Sequence, residues 1–185
     1  HSHLGTEFGG MAVYNGSFIR QIHNISQSQF KSKFYGESQN MLGKTGIGVI
    51  SALEEQPMYV KSKHGDFCIV TNGYLDNSDY LAEYLLEKGI SFSEVGKNGV
   101  NQTELVGKLI TTGINLIDGI KRTFDLIDGS CSLLMLKNDC IIAARDRFGY
   151  TTLVVGKKDN EYIVTSETTS ISNLGYEYYK AVSYT

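Results

Sequence analysis

The order of its secondary-structure signals is the feature that most constrains this chain. Short apolar runs that are typical of strands fill both ends, and helical periodicity appears in the middle, within residues 78–126. Tight-turn dipeptides, Asn138-Asp139 and Asp159-Asn160, separate the C-terminal runs. A doubly wound parallel sheet needs strands and helices in alternation, so we predict an α+β fold that is built on antiparallel sheets.

The individual elements follow from turns, periodicity and capping residues. Residues 11–23 are predicted as a hairpin, because Asn15-Gly16 suits a type I′ turn with positive φ at both central positions. Further strands are predicted for residues 46–51, 66–71, 131–137, 140–144, 153–157, 162–165 and 178–183, and helices for residues 78–88, 102–111 and 115–126. Asn101 lies three residues before Glu104, so we expect it to cap the second of these helices. Helices are expected only in the middle of the chain.

Composition excludes two classes of partner. There are 17 Lys and Arg against 20 Asp and Glu, and the formal charge of −3 with no basic run argues against a nucleic-acid binder. The longest apolar run is far shorter than the ~20 residues that a membrane span needs, so no membrane partner is expected. No basic segment precedes an apolar stretch as in a secretory signal, and we therefore expect a cytoplasmic protein.

The cysteines indicate neither disulfides nor a metal centre. Cys68, Cys131 and Cys140 are odd in number, show no C-x-x-C spacing and each lie in an apolar, strand-like run. This pattern favours buried, reduced thiols. No metal or other cofactor is expected, since no His or Cys neighbours stand at zinc-ligand spacing. His1 and His3 leave a metal clip open, although a frayed terminus is the favoured interpretation.

Two polar segments at strand ends leave alternatives open. Thr71-Asn72-Gly73 ends an apolar run, where Asn-Gly is most often a turn. The same pair could aim an amide side chain and a backbone N–H into a cleft, which is how an oxyanion hole is made. Arg145-Asp146 stands between two strands, and its favoured interpretation is a loop that charge-assisted hydrogen bonds hold in order.

Blocks of sequence in a fixed order carry a resemblance to a known family. They are LGTEFGGMAVY, GIGVISALEEQPMYV, IVTNGYLDN, NQTELVGKLI, IDGSCSLLML, CIIAARDRFGYTTLVVGKK and YIVTSET, which together extend over about residues 4–175. The most specific is the ARDRFG stretch with the later SE. In these blocks the chain resembles class-II glutamine amidotransferase domains, in particular those of amidophosphoribosyltransferases. The resemblance implies an αββα sandwich, in which an N-terminal cysteine and its own amine release ammonia from glutamine.

The resemblance also assigns roles to four positions. It places the family's oxyanion pair on Asn72 and Gly73, which are retained. The family's arginine for the glutamine carboxylate falls on Ser51, and its aspartate for the amino group falls on Gln102. The nucleophilic cysteine belongs to a first strand upstream of Leu4. Residues 1–185 are therefore expected to form one amidotransferase-like domain without its first strand, and without a phosphoribosyltransferase domain on this chain.

Two functional hypotheses follow from the resemblance. In the first, the chain is the glutaminase domain of an amidophosphoribosyltransferase-like protein that serves purine nucleotide biosynthesis. In the second, it is a degenerate domain that binds another small ligand or a protein partner and hydrolyses nothing. The substitutions at Ser51 and Gln102 favour the second for the chemistry itself. The expected ligand is L-glutamine or another small molecule, and a homo-oligomer stays open.

Overall fold

The computed structural model describes residues 7–93, 95–96 and 99–183, and it contains twelve strands and five helices. The strands are β1 (Phe8–Tyr14), β2 (Phe18–Asn24), β3 (Thr45–Ser51), β4 (Met58–Val60), β5 (Phe67–Leu75), β6 (Val95–Gly96), β7 (Gly99–Val100), β8 (Gly129–Lys137), β9 (Cys140–Arg145), β10 (Val154–Lys158), β11 (Glu161–Thr165) and β12 (Glu177–Ala181). The helices are α1 (Phe30–Ser38), α2 (Ser78–Glu87), α3 (Gln102–Thr111), α4 (Leu116–Leu126) and α5 (Thr168–Asn173).

The first sheet contains the predicted N-terminal hairpin. Its strand order is β2-β1-β3, and both pairings are antiparallel. Because Tyr14 pairs with Phe18, the hairpin loop holds the three residues 15–17. Gly16 has a φ of 97°, whereas Asn15 is not among the residues with positive φ. The hairpin is therefore confirmed, but the expected two-residue type I′ turn is wrong.

A four-stranded antiparallel sheet of order β4-β5-β8-β9 forms the centre of the fold. Alternate residues of a strand point to opposite faces. One face contributes Cys68 and Val70 to a small core that also contains Ala12 and Ile47 of the first sheet. The opposite face contributes the larger core, together with the middle helices; its fully buried members include Val60, Phe67, Ile69, Leu85, Leu105, Leu109, Leu133 and Met135. The three predicted helices thus cover an outer face, as expected.

Two helices lie outside the middle of the chain, so the expectation of helices only there is wrong. α1 covers the other face of the first sheet, where Phe30 and Phe34 stack with ring centroids 4.3 Å apart. A Cβ on Gly9 would lie 2.6 Å from the Phe30 ring, so a glycine is needed there. α5 packs on the third sheet, of order β11-β10-β12, through Ile171. Both helices are short, and their weak apolar periodicity explains why the sequence does not indicate them.

The layers run helix, sheet, sheet, helices. This order confirms the predicted α+β class and the αββα sandwich of antiparallel sheets. The structure differs from a sandwich of two continuous sheets, because β2-β1-β3 and β11-β10-β12 are separate three-stranded sheets. In the described part of the chain, no helix is both long and apolar enough to cross a bilayer.

The predicted cap of α3 is confirmed. The Asn101 side-chain oxygen accepts a hydrogen bond from the Glu104 N–H at 3.0 Å. Its amide group also donates to the Glu55 carbonyl at 3.1 Å, and the residue is buried. The Glu104 carboxylate accepts hydrogen bonds from the N–H and hydroxyl of Ser93. The first turn of α3 is therefore tied to two loops as well as capped.

Replacing Asn101 should lower the free energy of unfolding more than replacing an N-cap residue whose side chain makes no second contact. Loss of an N-cap side chain costs about 1 kcal/mol. Asn101→Ala also leaves the Glu55 carbonyl without its donor in a part-buried contact, so we expect a loss of about 2 kcal/mol in total. Asn115→Ala removes the exposed cap of α4, which accepts from the Asp118 N–H, and should cost about 1 kcal/mol. Urea denaturation of both variants measures this, and equal midpoints would contradict it.

Candidate active site

A cavity of about 920 Å³ opens between β3, β5, β8 and β11 and reaches the N-terminus of α3. Ser51, Asn72, Gly73 and Gln102 all line it. The structure therefore brings together the four positions to which the resemblance assigned roles, although they come from three separate segments of the sequence. Apolar side chains, including Val70 and Leu134, form much of the remaining wall.

Asn72 and Gly73 lie within β5 and not in a turn after it. They pair with Ser132 and Cys131 of β8, and the strand continues to Leu75. The favoured interpretation of Asn-Gly as a turn is therefore wrong, because a neighbouring strand supplies partners through the whole segment. Gly73 has a φ of 150°, and a Cβ there would lie 2.0 Å from the Ser130 carbonyl oxygen. Only glycine fits that position.

The side chains at the two substituted positions are bound to backbone. The Ser51 hydroxyl oxygen accepts hydrogen bonds from the N–H groups of Leu53 and Glu54, at 3.3 and 3.1 Å. The Gln102 side chain accepts from the Leu75 N–H at 3.0 Å and donates to the Leu75 carbonyl at 3.2 Å. Both side chains thus hold loop and strand ends in place. Neither brings a charge into the cavity.

Glu54 is a cavity residue to which neither the motifs nor the resemblance assigned a site role, although its carboxylate was one nearby charge that could replace a lost one. Its carboxylate accepts hydrogen bonds from the Gln102 N–H at 2.5 Å and the Thr103 N–H at 3.1 Å. It also accepts from the Thr103 hydroxyl at 3.2 Å. An acidic group at a helix N-terminus compensates the positive end of the helix dipole. The sequence held one weak signal for this contact. The first two residues of α3 carry no acidic group that could compensate the helix dipole, so a carboxylate from elsewhere could take that place.

The segment after β9 is ordered as predicted. Asp146 is buried, and one carboxylate oxygen accepts from the Cys131 N–H at 2.7 Å. The other oxygen accepts from the N–H groups of Phe148 and Gly149, at 2.7 and 3.0 Å. These charge-assisted bonds confirm the structural interpretation of Arg145-Asp146. They also fix the backbone of Cys131, the residue opposite Gly73.

The thiols divide into two buried groups and one exposed group. Burial raises the pKa of Cys131 to about 12, and the carboxylates of Asp146 and Glu54 act in the same direction. Burial also raises the pKa of Cys68 to about 11. Both are protonated at neutral pH, and a protonated thiol is a poor nucleophile. Cys140 is exposed, so the expectation that it is buried is wrong. Cys140 is the first residue of β9 and directly follows the Asn138-Asp139 turn.

The metal clip that the sequence left open would involve the N-terminal histidines. His1 and His3 lie outside the described residues. Within residues 7–93, 95–96 and 99–183, no group of three His, Cys, Asp or Glu side chains could hold a metal ion.

Comparison with known proteins decides the family. A family model described as a glutamine amidotransferase domain matches residues 45–173, a range that contains the four cavity positions. The chain belongs to the glutamine amidotransferase domain family. This amidotransferase domain is 34% identical over 190 residues to the amidophosphoribosyltransferase of Methanocaldococcus jannaschii, and 31% identical over 189 residues to that of Archaeoglobus fulgidus. Each alignment covers 97% of this chain and 40% of the relative, so the chain spans less than half the length of these relatives.

Two solved structures share the fold of this chain. The glutamine phosphoribosylpyrophosphate amidotransferase from B. subtilis, complexed with ADP and GMP, superposes with a TM-score of 0.84 at 25% identity. That match covers 98% of this chain and 40% of the other. A second structure, described as the allosteric regulatory enzyme of purine biosynthesis, gives a TM-score of 0.86 at 24% identity, with the same coverage. The second likeness concerns the fold alone.

Alanine at position 73 should destabilise the amidotransferase domain. Gly73→Ala places a Cβ against the Ser130 carbonyl at a φ that side chains avoid, so we expect a loss of about 2–4 kcal/mol. Gly48 lines the same cavity, but a Cβ there would meet only ordinary contacts at 3.6 and 3.8 Å. Gly48→Ala is therefore the matched control and should change stability by less than about 1 kcal/mol. Chemical denaturation measures both, and equal losses would refute the steric argument.

Alkylation should separate the three cysteines. In native protein at neutral pH, iodoacetamide should modify Cys140 and leave Cys68 and Cys131 unmodified, because the latter are buried and have raised pKa values. Peptide mass spectrometry before and after unfolding in urea provides the measurement. Raising the pH towards 9 should still leave Cys131 unmodified in native protein, because its pKa of about 12 keeps the buried thiol protonated. Similar rates at Cys131 and Cys140 would be inconsistent with this assignment.

Proposed function

We propose that this chain is the glutamine amidotransferase domain of an amidophosphoribosyltransferase-like protein of purine nucleotide biosynthesis, and that residues 1–185 bind a small ligand without hydrolysing glutamine. The amidophosphoribosyltransferases that cover 97% of the chain support the first part. One observation supports the second part, that the chain does not hydrolyse glutamine. The side chains at positions 51 and 102, where the family holds the ends of glutamine, are uncharged and bound to backbone.

The energetic cost of these substitutions is large enough to decide activity. Free glutamine carries a carboxylate and an ammonium group, and each needs a partner when it leaves water. A hydrogen bond to a charged group contributes about 1.5–3 kcal/mol. Losing both partners therefore removes about 3–6 kcal/mol of binding free energy, which corresponds to an affinity for glutamine that is about 10²–10⁴ times lower.

Neighbouring residues replace these partners only in part. Arg145 could restore a positive charge, but its side chain donates to the Val182 carbonyl at 2.6 Å and is absent from the described cavity lining. Glu54 restores a carboxylate at the N-terminus of α3. A partner for an ammonium group is therefore present in the cavity. A cationic partner for a carboxylate is not present among the described lining residues.

The proposal includes a first strand between β3 and β11, supplied by residues that precede position 1 in the parent protein. Two open strand edges support it. β3 pairs only with β1, and β11 pairs only with β10, among the described strands. Residues 48–51 and 163–166 from these edges line the same cavity. An extended segment placed there would hydrogen-bond to both edges and join the two three-stranded sheets.

A second candidate function is an active glutaminase whose nucleophile arrives on that strand. The retained Asn72-Gly73 pair favours it, since both residues line the cavity and could stabilise an oxyanion. The two candidates differ in the role of positions 51 and 102. Activity of a chain with the first strand restored distinguishes them.

The experiment grafts the first strand of the M. jannaschii relative, beginning with cysteine, onto this chain. Ammonia release from glutamine is measured for the unextended chain, the extended chain, and the extended chain with Ser51→Arg and Gln102→Asp. We expect no release from the first and no saturation at millimolar glutamine for the second. The double variant should lower the glutamine KM by about 10²–10⁴.

A size-matched control separates charge from packing. The extended chain with Ser51→Gln and Gln102→Asn disturbs the same two hydrogen-bonded positions without adding charge, and it should not lower KM. Millimolar-range saturation by the extended chain with Ser51 and Gln102 unchanged would show that the site holds glutamine in another way, and would favour the second candidate.

A further inference from the structure

We propose that the α3 end of the cavity selects a ligand that carries an ammonium group and no carboxylate, such as a short primary amine with an amide at its other end. This inference rests on the proposed function, since it concerns the same cavity and names the class of its ligand. It goes further by giving the ligand a charge.

The charges around the cavity support a cationic ligand. Among the described residues that line it, Glu54 carries the one ionisable carboxylate, and no Lys, Arg or His is present. Ser51 and Gln102 are uncharged and are bound to backbone. An anionic group that entered would meet Glu54 without a cationic partner, whereas a cation would be attracted to it.

The helix dipole does not cancel the charge of Glu54. The N-terminus of an α-helix is equivalent to about half of a positive charge. One carboxylate against α3 therefore leaves this end of the cavity negative by about half a charge. The pKa of Cys131 on β8 is raised first by burial, then by Asp146 and last by Glu54, which agrees with a negative charge at this end of the cavity.

Glu54 keeps capacity for a further donor. A carboxylate has about four lone-pair positions. Three are used, by the Gln102 N–H, the Thr103 N–H and the Thr103 hydroxyl. Glu54 is also partly exposed, so a ligand could reach it. One ammonium N–H can therefore be accepted without breaking the contacts that hold α3.

The rest of the cavity suits an amide separated from the ammonium by a short alkyl chain. Val70 and Leu134 form an apolar wall for methylene groups. The exposed Asn72 side chain and the backbone of Gly73 lie on the same cavity and can bond an amide. A ligand of this kind corresponds to glutamine without its carboxylate.

Four ligands that differ only in their charged groups test the inference on the unextended chain. L-Glutamine has both groups, 4-aminobutanamide has the ammonium alone, 4-carbamoylbutanoate has the carboxylate alone, and butanamide has neither. Calorimetry or ligand-observed NMR gives each Kd. We expect 4-aminobutanamide to bind at least tenfold more tightly than each of the other three, and 4-carbamoylbutanoate to bind most weakly.

Variants then assign the preference to Glu54. Glu54→Gln should reduce the affinity for 4-aminobutanamide at least tenfold, to that of butanamide, while Glu55→Gln, at an exposed neighbouring carboxylate outside the cavity, should leave it unchanged. Thermal unfolding shows whether Glu54→Gln still folds. If this variant does not fold, the ranking of the four Kd values on the unchanged chain still tests whether the cavity selects an ammonium ligand.

Two results would overturn the inference. One is binding of L-glutamine or 4-carbamoylbutanoate as tight as that of 4-aminobutanamide, and the other is no binding of 4-aminobutanamide at its highest soluble concentration. Neither outcome depends on ammonia release. A failure of this inference is therefore separate from a failure of the proposed function, which the grafted chain tests.

Discussion

The antiparallel pairing of β5 with β8 is the interaction on which the rest of this domain depends. The register runs from Cys68 opposite Leu136 to Leu75 opposite Gly129. Since side chains alternate between faces, the same two strands supply Cys68 and Leu136 to the core between the sheets, and supply Ile69 and Met135 to the core beneath the helices. Both hydrophobic cores, and the wall of the cavity, are therefore positioned by one ladder of backbone hydrogen bonds.

A close backbone approach shapes one part of the cavity wall. Gly73 lies so near the Ser130 carbonyl that no side chain fits at this position. Position 73 therefore presents backbone to the cavity, with polar groups beside it. Asn72 is one such group, and its place on the cavity is a consequence of where β8 lies.

Polar groups at the α3 end of the cavity are used mainly to satisfy the protein's own backbone. Buried N–H and C=O groups need partners, and here Ser51, Gln102 and Glu54 supply them. The family resemblance places an acidic residue at position 102, whereas in this chain a loop residue, Glu54, brings the carboxylate to the helix N-terminus. The electrostatic need of α3 is met, and the two ends of a bound glutamine are not both matched.

The sequence by itself determined the antiparallel α+β class, the three middle helices, the Asn101 cap and the family resemblance. These depend on local periodicity, capping and ordered motifs, which residues carry within a short segment. Only the tertiary structure decided that Asn72 and Gly73 lie inside β5, that Cys140 is exposed, and that Glu54 reaches α3, whose first residue lies 48 positions further along the chain. The reason is that each of these depends on a partner distant in sequence: β8 extends β5 beyond its apolar run, and packing places the Glu54 loop against a helix terminus that no local pattern links to it.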